Sequence, residues 1–412
     1  MKKIFNPADI LIPRNADMTA WSVVACDQFT SEPEYWARAE ALVGDKPSTL
    51  RLMLPEAYLG KPQAEDSTAR INAAMRRYLD GGLFWTLENS YVYVERTISD
   101  GRVRRGLVGA LDLEEYDWSP ASASPIRATE GTVEDRLPPR VKVRQDAPLE
   151  MPHIMVFIDD ADNAVMDAAQ GGEKLYDFDL MLGGGHLAGY RVLDNARVDA
   201  AVDALSAPAA LAAKYGLAGK APAIFAMGDG NHSLATAKKC WEALKPALTP
   251  ARRETHPARF ALVELVNIHD PAISFEPIHK VLFDTDNRDF IAAAKLYFHG
   301  AEGEGHVIRL LAGGAEATLS LAGFSIGELI GECERFCQRY LKINGGRIDY
   351  VHGDGEAASL ASGLGCAGIL LPRMEKSELF PSVIQTGPFP KKSFSIGLGP
   401  DKRYYLECRK IR

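Results

Sequence analysis

Residues 221–245 constrain the fold more than any other stretch of the chain. APAIFAM at 221–227 is a short apolar run, GDGN at 228–231 is a polar turn, and HSLATAKKCWEALK at 232–245 has apolar residues at helical spacing. The segment reads as strand, tight loop and helix. Other regions use the same vocabulary. Residues 64–80 have a helical period stopped by Gly81-Gly82, and a helix is expected to open at a capping box of Ser31 and Glu34. SYVYVERTI at 90–98 alternates like a strand, and Asp100-Gly101 offers a hairpin turn into the next one. Further hairpins are expected at 174–193, around Gly183-Gly184-Gly185, and at 305–321, around Gly313-Gly314. Residues 151–160, 259–268 and 365–372 read as buried strands, and residues 325–342 as an amphipathic helix. The expected class is α/β, a mixed sheet with hairpins and flanking helices; the hairpins argue against a purely parallel doubly wound sheet.

At 412 residues the chain exceeds the length at which single cores usually divide, about 250–300, so two packed subdomains or one elaborated unit are expected. With 46% hydrophobic and 25% charged residues it has ordinary globular usage. No apolar run is long enough for a membrane span, and the N-terminal stretch, broken by Asn6, Pro7, Asp9 and Pro13, makes a poor signal peptide. A formal net charge of −8 argues against a broad nucleic-acid-binding face. The six cysteines are scattered without a CxxC pair, which points to a reducing cytoplasm. Cys333 and Cys337 share a helix face and read as buried structural residues.

The GDGN turn is where chemistry is expected. The first N–H groups of a helix lack internal partners, and the helix dipole adds about half a positive charge there. Such an end favours phosphate or carboxylate. Gly228 and Gly230 would let the backbone approach a ligand, and Asp229 could ligate Mg²⁺ or accept a proton. Asn231 or Asp229 could cap the helix, His232 could donate to a phosphoryl oxygen or transfer a proton, and Ser233 adds a hydroxyl. The plainer alternative is a simple turn with Asn231 as its cap. Neither a P-loop nor a GxGxxG pattern is present, because Ser233 stands where the third glycine would be.

MGDGNHSLATA resembles the "ADGHHRYETA" signature of domain-of-unknown-function family 1015. Other blocks are similar in the same order. Residues 21–56 resemble "PYDV…NP.SFL…RPE", IRATEGTVEDR at 126–136 resembles "HE.T…DR", residues 265–282 resemble "N..DPGL.ILPTHR", and GPFPKKSFSIG at 387–397 resembles "MP.KST.F.PK". The resemblance covers nearly the whole chain, so 1–412 is expected to be one family-length unit, subdivided as 1–118, 119–290 and 291–412. Asn231 replaces the first motif histidine, Ser233 the motif arginine, Thr129 the histidine of HE.T and Lys280 the arginine of PTHR. Arg127, Arg136 or Lys392 could supply the missing charge. The GDGNH element is itself similar to the DGHTR-type motif of free serine kinases and to the ParB and sulfiredoxin group, whose strand–loop–helix binds nucleotide phosphates.

The resemblance implies a phosphate- or nucleotide-binding enzyme that transfers a phosphoryl group to a small hydroxylated metabolite. In it Gly228, Gly230, Asn231 and Ser233 would hold phosphate, assisted by Arg127, Arg136, Lys280 and Lys392. Asp229 would hold Mg²⁺, His232 and Lys392 would neutralise charge, and Glu130 would be the base. ATP, ADP or pyrophosphate would be the donor, a phosphatase could use the same parts, and a homodimer is compatible. The alternative is a non-catalytic nucleotide- or metabolite-binding regulator. Residues 119–150, rich in Pro, Ser, Arg and Glu, read as a long functional loop. Asp27 and Gln28 read as a strand-end cap, His186 as a turn residue, and Gly353-Asp354-Gly355 as a second strand–turn–helix that serves as a plain connection.

Overall fold

Alternation along the strands sets the layers. Tyr91, Tyr93, Leu107, Leu111, Val263 and Leu265 join one buried cluster, while their neighbours Val92, Val94, Val108, Ala110 and Leu262 join another. A strand points successive side chains to opposite faces, so this sheet is buried on both sides. The computed structural model describes residues 3–217, 219–397 and 399–412; Met1 and Lys2, the start of the stretch weighed as a signal peptide, lie outside the described residues.

The main sheet has ten strands. From edge to edge they are Glu173–Asp179, His186–Arg191, Val92–Thr97, Val103–Asp112, Phe260–Asn267, Met155–Ile158, Phe225–Asp229, Ile126–Arg127 and Tyr116–Asp117, with Phe5–Asn6 added on Val103–Asp112. Met155–Ile158 runs parallel to Phe260–Asn267 and antiparallel to Phe225–Asp229, so the sheet is mixed. A six-stranded sheet follows the order Ala315–Leu321, Glu302–Ala312, Ala367–Leu370, Phe275–Phe283 and Arg347–His352, with Phe394–Ile396 on Phe275–Phe283. Met155, Phe157, Ala226 and Val266 of the first sheet share a core cluster with Leu282, Ile308 and Ile369 of the second and with Leu329, Ile330 and Phe336 of helix Ile326–Asn344. Strand partnership thus crosses residues 118 and 290, and the chain passes from one sheet to the other between Asn267 and Phe275.

The three hairpins form where turn residues mark them. Two local expectations do not hold. The helix expected from Ser31 is Pro33–Val43, its N-cap is Glu32, and no side chain caps it. Pro33 starts it instead, because a proline lacks an N–H that this position would leave unpaired anyway. The loop expected at 119–150 contains helix Leu137–Arg144, which packs on helix Asn231–Leu244. Its prolines 138 and 139 sit in the first helical turn, where they are tolerated, so Pro-richness was a misleading loop signal there.

The last residues thread back through the N-terminal half. Tyr404–Tyr405 pairs with Val23–Val24, and Arg409–Lys410 pairs with Leu149–Glu150. Trp21 Nε1 donates to the Leu406 carbonyl at 2.9 Å, and the buried Arg403 pairs with Glu264 and Glu407. This threading carries Lys402 and Tyr405 to the GDGN turn.

Candidate functional site

Phe225, Ala226 and Met227 are fully buried and anchor the strand that delivers the turn. Gly228 lies flat on Phe157, where a Cβ would come within 2.9 Å of the ring. Gly230 is the N-cap of helix Asn231–Leu244 at φ +79°, and a Cβ there would meet Ile154 at 3.1 Å. Glycine is required on both counts. No side chain caps this helix. The Asp229 carboxylate instead accepts the Gly230 N–H at 2.8 Å, and Asn231 is the first helical residue rather than the cap. The Asn231 Oδ1 is buried without a hydrogen-bond partner among the described residues.

Charge gathers around this helix end. Lys402 Nζ lies 3.2 Å from Asp229 Oδ2. Burial alone would raise the Asp229 carboxyl, but Lys402, then His153 and the Gly230 amide, outweigh it and hold it below its ordinary value. Glu130 comes in from the neighbouring loop and accepts the Lys392 backbone N–H. Burial, with Asp229 adding to it, pushes the Glu130 carboxyl upward against the Lys392 amide, Arg136 and Lys391. The loop is held by Phe389 N–H on the Thr129 carbonyl at 2.7 Å and by Thr129 Oγ1 on the Met227 carbonyl at 2.6 Å. The threonine at the motif histidine position thereby ties loop to strand.

His232 differs from its expected charge-neutralising role. Burial, then Arg140 and Arg136, bring its pKa down to about 4. Its Nε2 accepts the Val133 N–H at 3.1 Å, so the ring is neutral with its proton on Nδ1. It fastens the 131–133 loop to the helix.

Three expected phosphate ligands are engaged elsewhere. Arg127 is buried and donates to the carbonyls of Ser124, Ala221 and Pro222, which need its donors because they are turned inward. Lys280 is fully buried and paired with Glu334 at 2.6 Å. The Lys392 ammonium lies over the Tyr350 ring at 5.1 Å, so this residue reaches the site through its backbone N–H. Arg136 is exposed at the rim, close enough to influence both Glu130 and His232.

Other residues enter that the sequence reading did not single out. His153 is buried against the turn; its Nδ1 shares a hydrogen bond with the Tyr405 hydroxyl at 2.8 Å, and its Nε2 faces Ser233 Oγ at 3.3 Å. Asp27, read as a strand-end cap, approaches the same Nε2 at 3.8 Å. A lone histidine before an apolar strand, and a lysine in a distant tail, carry no local signal. For Mg²⁺ the donors fit poorly as they stand. Lys402 occupies the outer face of Asp229, and no group of three or more His, Cys, Asp or Glu residues is arranged to hold a metal ion among the described residues.

No helix is long and apolar enough to cross a membrane among the described residues. No curated protein matches the sequence. Solved structures similar to the chain include a free serine kinase in complex with AMP, at 9% identity, covering 73% of this chain and 91% of that one with a TM-score of 0.37. Another is SbnI with a C-terminal truncation from Staphylococcus aureus, at 10% identity, covering 71% and 82% with a TM-score of 0.36. A conserved hypothetical protein from Pyrococcus furiosus is similar at 10% identity, covering 73% and 94% with a TM-score of 0.36. The profile described as "Protein of unknown function (DUF1015)" matches residues 8–362, and the chain belongs to that family.

Proposed function

We propose that the helix start at Gly230 binds the phosphate of a nucleotide or of pyrophosphate and that the protein passes a phosphoryl group to a small hydroxylated metabolite. One observation carries this reading: the helix Asn231–Leu244 begins from a glycine with no side-chain cap, beside a carboxylate paired with Lys402 and near a second, Glu130, that accepts the Lys392 N–H. An uncapped helix start favours an anion, and preorganised donors at the point of developing charge are the main requirement of phosphoryl transfer. Lys402 and Arg136 would neutralise phosphate charge. Glu130, whose carboxyl burial pushes above its ordinary value, would take the proton of the attacking hydroxyl.

A thermal-shift screen of ATP, ADP, AMP, pyrophosphate and phosphoserine, with and without Mg²⁺, tests the reading. A ligand at 100–1,000 times its Kd stabilises the native state by about 2.7–4.1 kcal/mol. Absence of a shift with all of them sinks it. Glu130→Gln then separates enzyme from regulator: an enzyme loses turnover and keeps its ligand, whereas a pure binder has no turnover to lose.

A further inference from the structure

A cavity of about 340 Å³ opens on the other side of His153 from the Gly230 turn. Its walls come from helices Ser67–Asp80 and Leu137–Arg144, the segment around Leu52–Leu59, residues 147–154 and the face of the GDGN helix that bears Ser233 and Thr236. Apolar side chains such as Met53, Leu54, Met75, Leu149 and Met151 make up most of the lining. Of the charged residues that line it, all but the exposed Lys142 are paired. Arg140 bonds to Glu56, and Arg144 to Glu150 at 2.6 Å, with Glu150 also held by Arg409. At one end His153, Ser233, Tyr405 and Cys26 form a hydrogen-bonded polar cluster.

We infer that this cavity holds the body of the acceptor, and that the acceptor is an alcohol with an apolar body and no ammonium group rather than a serine-sized polar molecule. The inference rests on the phosphoryl-transfer reading and specifies its substrate class. Three observations support it. The volume equals that of about eleven liquid waters at ~30 Å³ each and falls within the usual range for compact organic ligands, so an acceptor of a few polar atoms would leave most of it empty. Glu56 and Glu150 are both paired, so the walls offer no free carboxylate to an ammonium. The His153 ring closes the polar end and would lie 3.5 Å from a Cβ on Gly230, so a hydroxyl anchored near His153 and Ser233 is next to the helix start proposed to grip phosphate. Three methionines, Met53, Met75 and Met151, make the wall adaptable in shape.

Isothermal titration calorimetry with L-serine and the straight-chain series 1-butanol, 1-hexanol and 1-octanol tests this on the full chain, alongside pyrophosphate and adenosine. Affinity should rise about fourfold per added methylene until the cavity is filled, and L-serine should not bind measurably. Ala64→Phe and Met53→Trp, each placing an aromatic ring in the cavity, should weaken 1-octanol at least tenfold and leave pyrophosphate affinity unchanged; using two variants guards against one that misfolds. Pyrophosphate binding without any alcohol binding overturns the inference and leaves the phosphate site standing. Alcohol binding without pyrophosphate or nucleotide binding overturns the phosphoryl-transfer reading, and with it the acceptor role. Competition of adenosine with 1-octanol also overturns the inference, because the cavity would then take the nucleobase.

Discussion

Two strand–turn–helix units in this chain carry the same Gly-Asp-Gly letters and end differently. In the first, Asp229 is the last strand residue, Gly230 is the N-cap, and the helix turns its amide end toward Lys402 without an acidic residue in its first turn. In the second, Gly353 is the N-cap after strand Arg347–His352, so Asp354 falls inside helix Asp354–Ala361 with Glu356 close behind. Those two carboxylates complement the helix dipole themselves and repel an arriving anion. Asp354 is largely exposed and holds the buried His279 at 3.0 Å. A shift of one residue between aspartate and helix start separates the helix end proposed to take an anion from one that carries carboxylates in its own first turn.

The largest test of this contrast is catalytic. Glu130→Gln should lower turnover by about 10²–10⁴-fold while preserving the thermal shift with the donor, and Glu356→Gln should change neither, measured by steady-state transfer assays.

Acid comes next. The folded pKa of His232 lies near 4, below its unfolded value, so the unfolded chain binds the proton more readily. Stability from this group is complete above about pH 6.5 and is lost as pH falls toward 4, by about 1–2 kcal/mol once solvent screening of a partly exposed ring is allowed for. Urea titrations of the wild type and His232→Gln across that window should converge as pH falls; parallel curves would contradict a neutral, accepting His232.

Lys402→Ala should cost about 2 kcal/mol, because it strands a half-buried carboxylate. Asp354→Ala, at a largely exposed site, should stay within about 0.5 kcal/mol. Equal losses in chemical denaturation would remove the distinction between the two units. The smallest effect is steric. Both Gly230 and Gly353 have positive φ, so either alanine costs about 1–2 kcal/mol, but only Gly230 is also crowded, by Ile154. Gly230→Ala should therefore be the worse of the two by roughly 1 kcal/mol.

Much of the architecture was legible because it depends on local periodicity. The hairpin at Asp100-Gly101, the amphipathic helix expected at 325–342 and found as Ile326–Asn344, and the strand–loop–helix at 225–244 follow from residue spacing alone. Boundaries failed where one residue type serves two purposes. Prolines 138 and 139 suggested a loop and instead start a helix. Charged residues failed for a related reason. Arg127 and Lys280 are the right type for phosphate, but a buried cation needs partners, and inward carbonyls in one case and Glu334 in the other provide them. Lys402 and Tyr405 were illegible because their neighbours in sequence have no relation to the turn they approach.

From sequence alone come the alternation of strand and helix, the glycines of the 228–230 turn and the acidic residues near it, since these depend on backbone sterics and short-range spacing. Only the tertiary structure decides which side chains surround the turn. Contacts such as Lys402 with Asp229, or Tyr405 with His153, join residues 173 and 252 positions apart. They exist because the C-terminal segment pairs with strands near the beginning of the chain, and burial then determines which charges remain available to a ligand.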